Sequence, residues 1–84
     1  MMWAHPCKDD VEFLLACGNG PVLVRCLKAW ALERGWSRTK FYRKLARLRK
    51  YGWIIQKEAV VWVSKLGMKV IRAWEKARTN KLGS

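Results

Sequence analysis

The residues of this chain whose types and spacing could do chemistry are mostly cations. Nine of them stand between Arg34 and Lys57: Arg34, Arg38, Lys40, Arg43, Lys44, Arg47, Arg49, Lys50 and Lys57. That span contains no Asp and no Glu. A solvated helix surface ordinarily mixes both signs, because opposite charges at i and i+4 help a helix and like charges hurt it by about a few tenths of a kcal/mol. Lys40 with Lys44 and Arg43 with Arg47 are like pairs at that spacing. A cost repeated along one helix points to a polyanion outside the chain. The whole sequence agrees, with a formal net charge of +12 and a pI near 10.3. A folded domain that basic calls for an anionic partner.

Other chemistries have little to draw on. The one histidine, His5, lies in an N-terminal arm, and the six acids are scattered apart from the pair Asp9-Asp10. No phosphate loop, Ser-His-Asp set or carboxylate pair is visible, so the chain is not read as an enzyme and no cofactor is expected. Cys7, Cys17 and Cys26 make an odd count, which argues against a closed disulfide framework. Cys17 and Cys26 fall at apolar positions of expected helices, where free cysteine acts as a small hydrophobe. A single Cys17–Cys26 bridge is the alternative, suited to a hyperthermophile cytosol. His5 and Cys7 match no zinc spacing, and no metal site is expected.

The elements that must position the cations follow from apolar spacing. Eighty-four residues make one small domain, expected over residues 9–78 between an arm at 1–8 and a frayed tail at 79–84. Asp9 or Asp10 caps a first helix whose buried face carries Val11, Leu14 and Leu15. Gly18-Asn19-Gly20-Pro21 ends it, and Pro21 opens the first turn of a second helix. Leu23, Cys26, Leu27, Trp30 and Ala31 form that helix's stripe, Leu32 falls opposite Leu23, and Gly35 stops it. Ser37 caps a third helix over residues 37–51, with Phe41, Leu45 and Leu48 inward and Gly52 as its end. Trp53 to Ser64 reads WIIQKEAVVWVS, a short hairpin over 54–63 linked through Gln56-Lys57-Glu58-Ala59. Ser64 caps a last helix with the stripe Leu66, Val70, Ala73, Trp74 and Ala77 and with Ile71 to one side. Leu32, Ile71 and Trp74 are candidate homodimer contacts.

On the third helix, steps of about 100° per residue from Phe41 turn Thr39, Arg43, Arg47 and Lys50 away from the core, with Lys40 and Tyr42 on the flanks. Arginine and lysine can read guanine edges in a DNA major groove, and threonine can donate, accept or touch a thymine methyl. Tyr42 can reach a phosphate or sugar, or simply stand at the boundary with a wet hydroxyl.

Ser37-Arg38-Thr39-Lys40-Phe41-Tyr42-Arg43-Lys44-Leu45, followed by Leu48 and Gly52-Trp53-Ile54, resembles the recognition helix of a winged helix-turn-helix domain and its entry to the wing. Val63-Ser64-Lys65-Leu66-Gly67 is similar to the strand-to-helix step after the wing in MarR-like regulators. The resemblance spans roughly Asp10 to Trp74. It implies a mainly α fold with a small β-hairpin, in the order helix, helix, helix, hairpin wing, helix. It also implies sequence-specific binding of double-stranded DNA for transcription regulation, often as a two-fold dimer. By position, Thr39, Lys40, Tyr42, Arg43 and Arg47 would meet bases. Ser37, Arg38, Lys44 and Lys50 would meet phosphates, and Lys57 at the hairpin tip would reach the neighbouring backbone or minor groove. The size and charge also resemble small regulators of archaea and their viruses. A non-specific architectural DNA binder and an RNA-binding winged helix are the alternatives.

No apolar run approaches the length of a membrane span, and the N-terminus lacks the pattern of a signal peptide. The expected location is therefore the cytoplasm, at the nucleoid or, for a viral protein, in the host.

Overall fold

A computed structural model describes residues 6–18 and 20–83, with side chains described as far as Ala77. His5 and Trp3 of the expected arm lie outside the described residues. The chain runs through α1 (Lys8–Cys17), β1 (Val22–Leu23), α2 (Val24–Glu33), α3 (Arg38–Lys50), β2 (Ile54–Lys57), β3 (Val60–Val63) and α4 (Lys65–Gly83). Among the described residues these are four helices and a three-stranded antiparallel sheet of order β1-β3-β2. The mainly helical fold with a hairpin agrees with the sequence reading.

The hairpin closes through two residues, Glu58 and Ala59, rather than the four-residue link expected. Lys57 pairs with Val60, and Glu58 takes φ 57°. Gln56 and Lys57 thus belong to β2, and the Gln56 amide donates to the Glu58 carbonyl at 3.1 Å. β1 is a further correction. Pro21 does not open a helix; it leads into Val22–Leu23, which pair with Val61 and Val60. A two-residue strand needs a partner about forty residues away, which local spacing cannot reveal. The Val24 amide donates to the Ala59 carbonyl at 2.8 Å, so the hairpin turn also fixes the start of α2.

The core centres on Phe13, fully buried among the rings of Phe41 (centroids 5.7 Å), Trp36 (6.3 Å) and Trp30 (6.2 Å). Leu14, Cys17, Leu27, Ala31, Leu45, Leu48, Trp53, Ile54, Val61, Val70 and Ile71 fill the rest. The expected α1 face is rotated. Phe13 and Cys17 turn inward while Leu15 is 51% exposed. From Val11 to Cys17 every residue but Glu12 is apolar, and the larger Phe13 ring is the one that enters the aromatic cluster. Cys26 is exposed, not apolar packing, and all three cysteines are free. On α4 the inward residues are Gly67, Val70 and Ile71, with Trp74 half-buried; Leu66, Ala73 and Ala77 face outward. Of the candidate dimer contacts, Ile71 is 9% exposed and packs in the core, whereas Leu32 is 42% exposed.

Gly67 explains the phase of α4. A Cβ there would sit 2.1 Å from the Trp53 carbonyl oxygen and 2.6 Å from Val63 Cγ1. The helix packs backbone against backbone at this point, which only glycine permits. Ser64 welds the same junction, as expected of a cap: its Oγ accepts from the Gly67 amide at 3.0 Å and donates to the Gly52 carbonyl at 2.5 Å.

Candidate nucleic-acid interface

α3 is framed at both ends by sequence-encoded caps. Ser37 Oγ accepts from the Lys40 amide at 3.1 Å. At the other end Gly52, with φ 76°, donates to the Arg49 carbonyl, and the Trp53 amide donates to Leu48. This pair of bonds satisfies the last carbonyls of the helix. Gly35 and Trp36 end α2 with the same two bonds, to Leu32 and Ala31. α2 and α3 are thus held as two helices joined by a tight turn, with buried Trp36 at the corner. Phe41, Leu45 and Leu48 face the core as expected, which fixes how every other α3 side chain is presented.

Ser37, Thr39, Lys40, Arg43, Lys44 and Arg47 line a hollow of about 390 Å³. Four of its six side chains are cations. It gathers the larger part of the residues expected to meet DNA. Arg38, Lys50 and Lys57 lie outside it and are exposed, as is Tyr42. The Tyr42 ring packs edge-on against Phe41 at 5.1 Å, and Lys28 from α2 lies 5.6 Å from its centroid. A second hollow, about 240 Å³ and lined by Gly18, Gly20, Pro21, Trp62, Val63 and Met68, carries no charged side chain. It is not where the cations converge.

Three of the expected contacts, Lys40, Lys44 and Arg47, are not free cations. Asp10, expected with Asp9 as a candidate helix cap, is fully buried. The cap position belongs to Cys7, whose amide donates to Asp10 Oδ2 at 3.1 Å. Asp10 Oδ1 accepts from Lys44 Nζ at 2.8 Å, and Arg47 Nε lies 3.5 Å from Oδ2. Lys44 is turned inward, its side chain only 17% exposed, so it is a structural partner of Asp10 before it can be a phosphate contact. Arg47 Nε is shielded and donates no hydrogen bond, while its guanidinium lies 5.0 Å from the Tyr51 ring centroid. Burial pushes the Asp10 carboxyl up, but the hydrogen bonds from Lys44 and the Cys7 backbone outweigh it and hold it below the ordinary carboxylate range. Burial acts to lower Lys44, yet its bond to Asp10 raises it above the usual lysine value.

Two more acids of α1 reach the same span. Asp9 pairs with Lys40 at 3.0 Å, and Glu12 pairs with Arg34. The nine cations therefore divide. Arg34, Lys40, Lys44 and Arg47 have acidic partners on α1, while Arg38, Arg43, Arg49, Lys50 and Lys57 have none among the described residues. The sequence did hold a signal: the one dense acidic stretch, Asp9 to Glu12, stands opposite in sign to the longest acid-free run of cations, Arg34 to Lys57. Without the fold nothing says that they meet.

Cys7 Sγ is 3.1 Å from Lys44 Nζ, and burial pushes the Cys17 thiol up to about 12. Among the described residues no group of three or more His, Cys, Asp or Glu could hold a metal ion. No described helix is long and apolar enough to cross a membrane. Compared with protein-family models, curated proteins and solved structures, the chain matches none.

Proposed function

We propose that the chain is a winged helix-turn-helix protein that binds double-stranded DNA in a sequence-specific way and regulates transcription. α3 would enter the major groove, and the β2–β3 hairpin would be the wing. The observation that carries the reading is the basic hollow on α3, lined by Ser37, Thr39, Lys40, Arg43, Lys44 and Arg47 on a helix whose other face is locked into the core. The order helix, strand, helix, helix, hairpin, helix supports it. An anionic duplex fits the sign of the face, and a rigid helix presenting polar tips is suited to base edges.

The pairings with α1 narrow the assignment. Thr39, Tyr42 and Arg43 are the base-reading candidates free of acidic partners, with Lys40 and Arg47 reaching bases only alongside Asp9 and Asp10. Ser37, Arg38, Lys50 and Lys57 are the phosphate candidates, and Lys44 serves chiefly to hold α1 to α3. With fewer free readers, the non-specific architectural reading gains support.

The test is duplex binding by Arg43→Ala and Lys50→Ala variants. Loss of a base contact costs about 1–3 kcal/mol on the preferred sequence and relaxes preference, whereas loss of a phosphate contact weakens all sequences evenly. Equal, sequence-blind losses from both would remove the specific reading and leave the architectural one. Tighter binding to single-stranded RNA than to duplex DNA would remove both.

A further inference from the structure

A second cationic surface lies on α4. Lys65, Lys69, Arg72 and Lys76 are all exposed and recur at i, i+4, i+7 and i+11. At about 100° per residue the four fall within about 60° of one another, opposite the inward residues Gly67, Val70, Ile71 and Trp74. They form one straight row about 16 Å long at 1.5 Å per residue. The ion pairs seen among the described residues involve none of the four, and the one acid of this stretch, Glu75, stands about 60° from the nearest of them, Arg72. Each successive pair in the row is a like-charge neighbour, an arrangement that weakens a helix unless something anionic covers it. The row does not belong to the α3 hollow. α4 packs on α1 and β3, whereas α3 packs on α2 and β2.

We propose that this row is a second nucleic-acid surface, which takes the phosphate backbone of another duplex segment, so that one protein molecule bridges two segments. Duplex DNA presents about one charge per 1.7 Å of axis, so a row of this length meets a continuous line of phosphates. A straight row of cations with nothing else between them is suited to phosphates, and phosphate contacts carry no sequence information. The apolar residues beside it, Leu66, Ala73 and Ala77, make only a narrow flank, short of the wide apolar face that an interfacial membrane helix needs. The bridging rests on the reading of α3 given above.

The experiment is a bridging assay. One duplex is fixed to beads, and capture of a second, labelled duplex is measured with protein present. The full chain should capture it. The variant Lys65→Gln/Lys69→Gln/Arg72→Gln/Lys76→Gln should still hold the fixed duplex but capture about tenfold less of the free one, since four phosphate contacts are gone. Matching thermal melts check its folding. Should the quadruple variant melt early, the pairs Lys65→Gln/Lys69→Gln and Arg72→Gln/Lys76→Gln are measured instead, and each should lower capture. Undiminished capture by the α4 variants would overturn the proposal and assign bridging to protein dimers. Binding of the full chain to the fixed duplex without capture would overturn it as well, as would α4-dependent binding to anionic vesicles without bridging. The α3 reading is judged separately. It fails if Arg43→Ala/Lys50→Ala holds the fixed duplex as tightly as the unaltered chain.

Discussion

Asp10→Asn should be the most damaging conservative change in the molecule. The substitution keeps the shape and removes the charge. In the structure the carboxylate has no exposure and accepts from two donors, the Cys7 amide at 3.1 Å and Lys44 Nζ at 2.8 Å, with the Arg47 guanidinium as a further charge whose Nε lies 3.5 Å away. An asparagine offers one acceptor oxygen. If that oxygen faces Cys7, the amide NH2 points at the Lys44 ammonium, donor against donor. A hydrogen bond to a charged group is worth about 1.5–3 kcal/mol, and breaking a fully buried ion pair costs about 3–5 kcal/mol. Lys44 retains 17% exposure and Arg47 41%, so both can recover some hydration. The loss should therefore be about 2–4 kcal/mol, which in a domain of this size lowers Tm by roughly 10–25 °C. Thermal unfolding followed by circular dichroism measures it. The double variant Asp10→Asn/Lys44→Met should recover much of the loss, because removing both partners leaves no uncompensated charge. A fall of less than about 5 °C in the single variant, the effect of only about 1 kcal/mol, would refute the buried-pair reasoning. So would a double variant no more stable than the single.

Other expectations can be checked with the same preparations. Gly67→Ala should destabilise by about 1–3 kcal/mol, as overpacking does, because its methyl would lie 2.1 Å from the Trp53 carbonyl oxygen; an unchanged urea midpoint would show that α4 does not approach the sheet this closely. Asp10 has a folded pKa below its ordinary 3.8, so its contribution is full above that value and is lost as pH falls through the folded one. Lys44 has a folded pKa above its ordinary 10.5, so its contribution is full below 10.5 and is lost as pH rises through the folded value. Stability measured against pH should thus fall in strong acid and again in strong alkali in the unaltered chain, and Asp10→Asn should flatten the acid limb. Cys26, exposed, should react with a thiol reagent in the native protein, while Cys17, buried and pushed up to about 12, should react only on unfolding; equal native rates would place Cys17 at the surface.

Much of the candidate site could be read from the sequence because α3 carries its own instructions. Ser37 starts it, Gly52 ends it, and Phe41, Leu45 and Leu48 set its rotation, so the outward cations follow from local spacing alone. The hairpin was legible from β-branched runs for the same reason. What stayed hidden depends on pairs distant in the chain. β1 exists because Val22 and Leu23 find Val61 and Val60. The inward turn of Phe13 is decided by the rings of Trp30, Trp36 and Phe41, since every residue from Val11 to Cys17 but Glu12 is apolar. The fate of Lys44 and Arg47 is set by a carboxylate more than thirty residues away. On α4, a glycine carries the closest contact, and apolar counting gives a glycine no weight.

The most direct test of the central claim is selection from a random duplex DNA pool at near-physiological salt, followed by sequencing. Base reading by α3 predicts enrichment of a defined motif, lost in Arg43→Ala. Half-sites about one helical turn apart would add that the protein binds as a two-fold dimer. Retention of duplex with no enriched sequence would contradict base reading by α3 and leave a charge-driven DNA binder.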